Sequence, residues 1–184
     1  YINSEHERVA ARIAADVFGD TPISVSSDVV PEMQEYERTE TNVVNSYVRP
    51  QVARYVSNLQ NALEDRMGTD TQLSILRSDG GLASARASGE SPVNLLMSGP
   101  AGGVSGALYF CEQAGFRDIL TFDMGGTSTD VALIQDARAR VRRETIVGDV
   151  RVRAPSVDVR TVGAGGGSIA FVPELTKALR VGPD

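Results

Sequence analysis

A chain of 184 residues with 41% hydrophobic content is long enough for one ordinary domain or two small ones with a real core. Its net charge of -6, with no basic cluster beyond Arg138–Arg143, argues against a nucleic-acid partner. No apolar run approaches the roughly 18 residues that a membrane-spanning helix needs. The single cysteine, Cys111, excludes an internal disulfide and fits a reducing, cytoplasmic setting.

In chain order, Ser4 with Glu7 three residues on reads as a capping box opening a helix. Val9, Ile13 and Val17 share one face of that helix, and Gly19 stops it. His6, the only histidine, has no second ligand nearby and reads as a surface residue. Residues 23–30 alternate apolar and hydroxyl side chains, the pattern of a half-buried strand ended by Pro31. Residues 32–41 are strongly polar, a surface helix or an ordered loop, in which Glu37 and Arg38 are more simply solvated than ligand-binding. A long helix is predicted over 42–67, with Val48, Val52, Tyr55, Val56, Leu59, Leu63 and Met67 as its stripe, Pro50 inside it and Gly68 as its stop.

Residues 73–76 read as a buried strand. Asp79-Gly80-Gly81 follows as either a ligand-facing or an ordinary turn, and residues 82–92 as a loop or short helix. A strand leading into Ser98-Gly99-Pro100-Ala101-Gly102-Gly103 is expected next, then a helix to about Ala114 with Val104, Leu108 and Cys111 on one face. Glycines just before a helix leave its first amides open to an anion or to a close-packed neighbour. Cys111 itself reads as a small buried hydrophobe.

The densest chemistry follows. Two short apolar runs, Ile119–Phe122 and Val131–Ile134, flank Asp123-Met124-Gly125-Gly126-Thr127-Ser128-Thr129-Asp130. Gly125 and Gly126 let the backbone turn tightly and approach a ligand, and successive amides in such a turn form an anion-binding concavity. Thr127, Ser128 and Thr129 add hydroxyls, and Asp123 and Asp130 place a carboxylate at each end. Phosphate-bearing nucleotides arrive with Mg²⁺, a hard cation that takes oxygen ligands, and the two aspartates suit it or its waters. A plain hairpin with a tight Gly-Gly turn is the alternative, although it needs neither paired acids nor three hydroxyls. The rest of the chain reads as β-rich, with strands over 140–147, 151–153, 157–162, 169–172 and 179–181. The basic run near Arg140 is the solvated face of one of them. The run Gly163-Ala164-Gly165-Gly166-Gly167-Ser168 is bounded too closely by strands to be a flexible linker. With Asp158 before it, it reads as a ligand loop or a crossing between strands.

The strand-Asp-x-Gly-Gly-Thr-x-x-Asp-strand pattern resembles the second phosphate motif of the actin-like ATPase superfamily. Within it the chain resembles the hydantoinase A/5-oxoprolinase family. The resemblance is carried by Ser4–Arg8, Glu35–Thr39, Asn45–Pro50, Ser98–Val104, Asp123–Asp130 and Thr161–Ser168, and covers most of the chain. It implies an α/β fold of ribonuclease-H-like type, incomplete and spanning the junction of two lobes. Residues 1–116 would be the end of the first lobe with its connecting helix, and residues 117–184 the start of the second. It implies an ATP- and Mg²⁺-dependent enzyme that opens a cyclic amide or imide ring by phosphorylating the carbonyl oxygen, together with a B-type hydantoinase subunit or domain. The alternatives are a subunit of an ATP-dependent ketone carboxylase and a nucleotide-driven switch.

In this resemblance Asp123 and Asp130 serve the metal and the chemistry, while Gly125, Gly126, Thr127, Ser128, Thr129, Gly165, Gly166 and Gly167 hold phosphate. Asp158, Ser168, Ser98 and Gly99 line the cleft. The family's first phosphate loop and the region closing over adenosine are missing from this sequence. The chain therefore reads as a segment of a larger protein that does not turn over ATP by itself. Unpaired sheet edges would favour a homodimer.

Overall fold

The computed structural model describes residues 2–183. In chain order the elements are α1 (Glu5–Phe18), α2 (Ser26–Val29), α3 (Glu35–Met67), β1 (Ser74–Leu76), β2 (Leu82–Ser84) and α4 (Ala85–Glu90). A 3-10 turn (Pro92–Leu95) precedes α5 (Ser98–Gln113), β3 (Ile119–Met124), β4 (Thr129–Gln135), β5 (Arg138–Ala139) and β6 (Val141–Arg142). The chain continues with β7 (Thr145–Val147), β8 (Val150–Val152), β9 (Ser156–Val157), β10 (Val159–Val162), β11 (Ser168–Phe171) and β12 (Arg180–Pro183). The architecture is α/β. Among the described residues no helix is long and apolar enough to cross a membrane.

Packing divides the chain into two compact units. One runs up to Ser98 and takes in Arg142–Ser156, and the other comprises Gly99–Val141 and the chain from Val157 onward. The helix α5 packs with the strands that follow it, and the β7–β8 hairpin packs with the helical part.

The first unit is built on α3. Its core holds Val93, Val152 and Ala154, with Val29, Val44 and Leu96 packed around them. Of the predicted α3 stripe Val56 is buried, whereas Tyr55 and Met67 are exposed, so the helix buries a narrower face than its sequence offers. Polar groups do much of the fixing. Asn45, fully buried, donates to the Glu90 carbonyl (3.1 Å) and the Ser24 hydroxyl (3.3 Å). The Thr41 hydroxyl donates to the Glu37 carbonyl and accepts the Arg153 amide, both at 2.8 Å, which ties the 142–156 segment to α3.

Several local expectations change. The 23–30 segment is the short helix α2 and not a strand, because the Glu7 carboxylate accepts both the Ser26 hydroxyl (2.8 Å) and the Ser27 amide (2.9 Å) at the start of that helix. The same commitment removes the predicted capping box. Ser4 makes no side-chain cap, and Asn3 instead accepts the Glu5 amide at 3.0 Å. Glu37 and Arg38 serve internal ion pairs, Arg38 with Glu7 at 3.0 Å and Glu37 with Arg153 at 3.8 Å. Asp79-Gly80-Gly81 is the turn of the β1–β2 hairpin, in which the Asp79 carboxylate accepts the Gly81 amide at 3.0 Å. The expected strand before Ser98 is the 3-10 turn, and the glycines after it lie inside the first turns of α5 rather than ahead of them.

The second unit is an antiparallel sheet in the order β10-β4-β3, with β5 extending β4 as a hairpin. Residues directly opposite in such a ladder share a face. The register Ile119↔Ile134, Thr121↔Ala132 and Val159↔Ala132 therefore places these residues on one face. That face is the core, where Ala132, Ile134, Val157 and Val159 pack with Ala101 and Val104 of α5, and Leu108 packs against them. Cys111, one turn further along α5, is only half-buried. Strands β11 and β12 form a separate antiparallel ribbon.

Candidate functional site

Two further rungs of the ladder carry the core face of β3 and β4 out into a polar end. Asp123 stands directly opposite Asp130, and Thr161 of β10 stands opposite Asp130 from the other side. One apolar face thus ends in a row of Asp, Asp and Thr across three strands. The Thr161 hydroxyl donates to Oδ1 of Asp130 at 2.6 Å. A cavity of about 230 Å³ opens beside this row, bounded by Pro100, Gly103 and Ala107 of α5 and by Thr121, Asp123 and Asp130 of the sheet. A side chain built at Gly103 would put its Cβ 3.7 Å from Oδ2 of Asp123, so the α5 backbone passes close over that carboxylate.

Between the two aspartates the chain reverses over Gly125–Ser128. The Gly125 amide donates to the Ser128 carbonyl at 2.9 Å and closes the turn. Among the described residues, the amides of Gly126, Thr127 and Ser128 have no protein acceptor. Neighbouring amides left without protein acceptors can form a concavity for an anion.

The second glycine run docks onto this turn. The Gly166 amide donates to the Gly125 carbonyl (2.9 Å) and the Gly167 amide to the Gly126 carbonyl (2.7 Å). The Thr129 hydroxyl, 3% exposed, donates to the Ala164 carbonyl at 2.6 Å. Within the run, the Gly165 amide donates to the Ser168 hydroxyl (2.9 Å) and the Ser168 amide to the Gly165 carbonyl (3.0 Å). The glycines are required by proximity. A Cβ at Gly165 would lie 2.5 Å from the Gly125 oxygen and 2.8 Å from the Ser128 nitrogen, and one at Gly167 would lie 2.9 Å from the Gly126 oxygen. The run is therefore a brace that holds both turn carbonyls on one side.

The sequence-predicted residues divide accordingly. Asp123, Asp130, Gly125, Gly126, Thr127 and Ser128 come together at the hairpin end. Gly165, Gly166, Gly167, Ser168 and Thr129 form the brace, with the Gly166 and Gly167 amides and the Thr129 hydroxyl committed to protein acceptors. Asp158 makes an ion pair with Arg160 at 3.6 Å. Ser98 and Gly99 begin α5, one half-buried and the other exposed. Thr161 escaped notice as a site residue, although the alternation of β10 puts it on the face of Val159 and hence in line with Asp130.

Among the described residues no group of three or more His, Cys, Asp or Glu side chains converges on a metal position. The Asp123 and Asp130 carboxylates line one cavity, next to the turn whose amides lack protein acceptors. That donor set suits a cation that keeps several waters and takes its other ligands from a phosphate, as Mg²⁺ does, and does not suit an all-protein cage.

The chain belongs to the hydantoinase/oxoprolinase family, whose model matches residues 38–184. It is 34% identical to the caprolactamase subunit alpha of Pseudomonas jessenii over 98% of its length, and 34% identical to the 5-oxoprolinase of Saccharomyces cerevisiae over 100%. It spans 26% of the first relative and 14% of the second. Its structure superposes on the crystal structure of the ATP-dependent caprolactamase with a TM-score of 0.83 at 33% identity, covering 98% of this chain and 26% of that one. The nucleotide-free structure of acetone carboxylase matches with a TM-score of 0.75 at 32% identity, over 99% of this chain and 26% of that one.

Proposed function

We propose that residues 123–130 bind the phosphates of ATP, and that the protein carrying this chain is an ATP-dependent amidohydrolase acting on a cyclic amide. The observation that carries this reading is the acid pair facing itself across a turn whose amides are unsatisfied and whose carbonyls are braced from behind. Such an arrangement costs stability unless a cation and an anion neutralise it. The relatives named caprolactamase and 5-oxoprolinase supply the reaction class, and their likeness supports an actin-like ATPase fold of which this chain is one part.

In this reading Asp123 and Asp130 hold Mg²⁺ through carboxylate oxygens or bound water. When bound, the ion neutralises phosphate charge. The amides of Gly126, Thr127 and Ser128, with the hydroxyls of Thr127 and Ser128, orient the terminal phosphate. Position and charge are what phosphoryl transfer demands of a protein. The carbonyl oxygen of the ring attacks the γ-phosphorus, the bond to the β-phosphate oxygen breaks, and ADP leaves. The ring carbon, now bearing a phosphate leaving group, becomes open to water. Water adds to that carbon, the C–N bond breaks as the nitrogen takes a proton, and a second water hydrolyses the resulting acyl phosphate to carboxylate and phosphate. The relatives described as subunits alpha and beta favour a second, B-type subunit or domain sharing this chemistry.

The likeness to acetone carboxylase favours a second reading, an ATP-dependent ketone carboxylase subunit that uses the same phosphate site. The two are separated by assaying ATP hydrolysis by the full-length protein with cyclic amides and, separately, with ketone plus bicarbonate. Stimulation by a lactam, hydantoin or 5-oxoproline supports the amidohydrolase. Stimulation only by ketone and bicarbonate supports the carboxylase, and stimulation by neither contradicts both.

A further inference from the structure

We propose that Thr161 is a positioning residue that fixes Asp130 as the rigid member of the carboxylate pair; the inference rests on the nucleotide reading of the same site. The acid pair is asymmetric. Oδ1 of Asp130 accepts the Thr161 hydroxyl at 2.6 Å, a short, charge-assisted bond. Asp123 has no side-chain hydrogen bond among the described residues and is exposed, whereas Asp130 is half-buried. Two like charges directly across a ladder repel, and a free carboxylate relieves that by rotating away. Thr161 opposes the rotation at Asp130. It occupies one lone pair of Oδ1 and leaves Oδ2 and the remaining lone pair for a ligand.

The support for Thr161 comes from the backbone. It lies in strand β10 in register with Asp130, and a threonine is stiff at χ1, so its hydroxyl has a set direction. Carboxylates that ligate metals are themselves held by hydrogen bonds of this kind, and losing such a partner typically costs about 10–100-fold in metal affinity. Asp130 thus presents a fixed oxygen, and Asp123 is the member that adjusts as ligands arrive.

The test is Mn²⁺ binding to the full-length protein in the presence of a non-hydrolysable ATP analogue, followed by electron paramagnetic resonance with no turnover required. Asp123→Asn serves as the control for the reading of the site. Thr161→Val keeps the shape and the strand preference but loses the hydroxyl, and Thr161→Ser restores it. The expected result is Mn²⁺ affinity lowered by about 10–100-fold in Thr161→Val and recovered to within a few-fold in Thr161→Ser, at an unchanged melting temperature. Wild-type affinity in Thr161→Val, with affinity lost in Asp123→Asn, overturns the role of Thr161 and leaves the nucleotide site standing. Binding that is indifferent to Asp123→Asn overturns both. If Thr161→Val melts early, Thr161→Ala read at lower temperature gives the same comparison.

Discussion

Asp123 and Asp130 face each other directly across the β3–β4 ladder, one rung below the turn at Gly125. Like charges so placed destabilise a sheet by up to about 1 kcal/mol. Asp123→Asn is therefore expected to leave the ligand-free protein as stable as wild type, or to raise its melting temperature by about 2–4 °C. The same substitution removes the extra stability that Mg-ATP confers. Thermal unfolding with and without Mg-ATP measures both effects. A clear loss of ligand-free stability would mean that the pair has a structural role instead.

Gly165 and Gly163 belong to one glycine run but meet different surroundings. A Cβ at Gly165 meets the Gly125 oxygen at 2.5 Å, while nothing lies within 4 Å of one at Gly163. Gly165→Ala is expected to cost about 1–3 kcal/mol and to displace the turn, lowering nucleotide affinity with it. Gly163→Ala is expected to match wild type in both respects. Equal behaviour of the two variants would dispose of the brace.

Glu7 gives the first unit an acid-sensitive joint. Burial alone would raise its pKa, but the Ser26 hydroxyl, the Ser27 amide and the Arg38 guanidinium outweigh it and hold the carboxyl below its ordinary value. A depressed carboxylate contributes stability that is complete at neutral pH, above the unfolded-state value. That contribution disappears as pH falls through the lower folded-state value. Glu7→Gln is therefore expected to lower the melting temperature near pH 7 and to converge with wild type in acid. A melting difference that is constant from pH 7 down to pH 3 would contradict this.

Pro50 lies in the interior of α3, where it cannot donate a backbone hydrogen bond to the residue four positions earlier, Ser46. The Ser46 hydroxyl meanwhile bonds back to the Asn42 carbonyl at 2.8 Å. Pro50→Ala is expected to stabilise the protein by on the order of 1–3 kcal/mol, read from denaturant midpoints at unchanged slope. Destabilisation would show that packing around Pro50 outweighs the lost backbone bond.

What could be read in the sequence was whatever depends on local pattern. The short apolar runs Ile119–Phe122 and Val131–Ile134 on either side of two glycines gave the two strands and the turn between them, and the long apolar periodicity gave α3 with its stop at Gly68. What could not be read depends on partners remote in the chain. Residues 23–30 have the period of a strand, and only Glu7, about twenty positions away, makes a helix of Ser26–Val29. The glycine run at 163–168 reads as a ligand loop or a crossing between strands, but composition does not say whether a phosphate or another loop approaches it. Here it is the Gly125–Gly126 turn. Thr161 becomes visible only once β10 is paired with β4 in register.

The central claim is that the 123–130 hairpin holds the phosphates of a nucleotide. Isothermal titration of Mg-ATP into the full-length protein, wild type against Asp130→Ala, with circular dichroism confirming an intact fold, tests it most directly. The account predicts saturable binding by wild type and a loss, or a fall of more than about tenfold, in the variant, a change of at least about 1.4 kcal/mol. Equal affinity in the two proteins would contradict it and would make the acid pair and its braced turn a structural feature of the sheet.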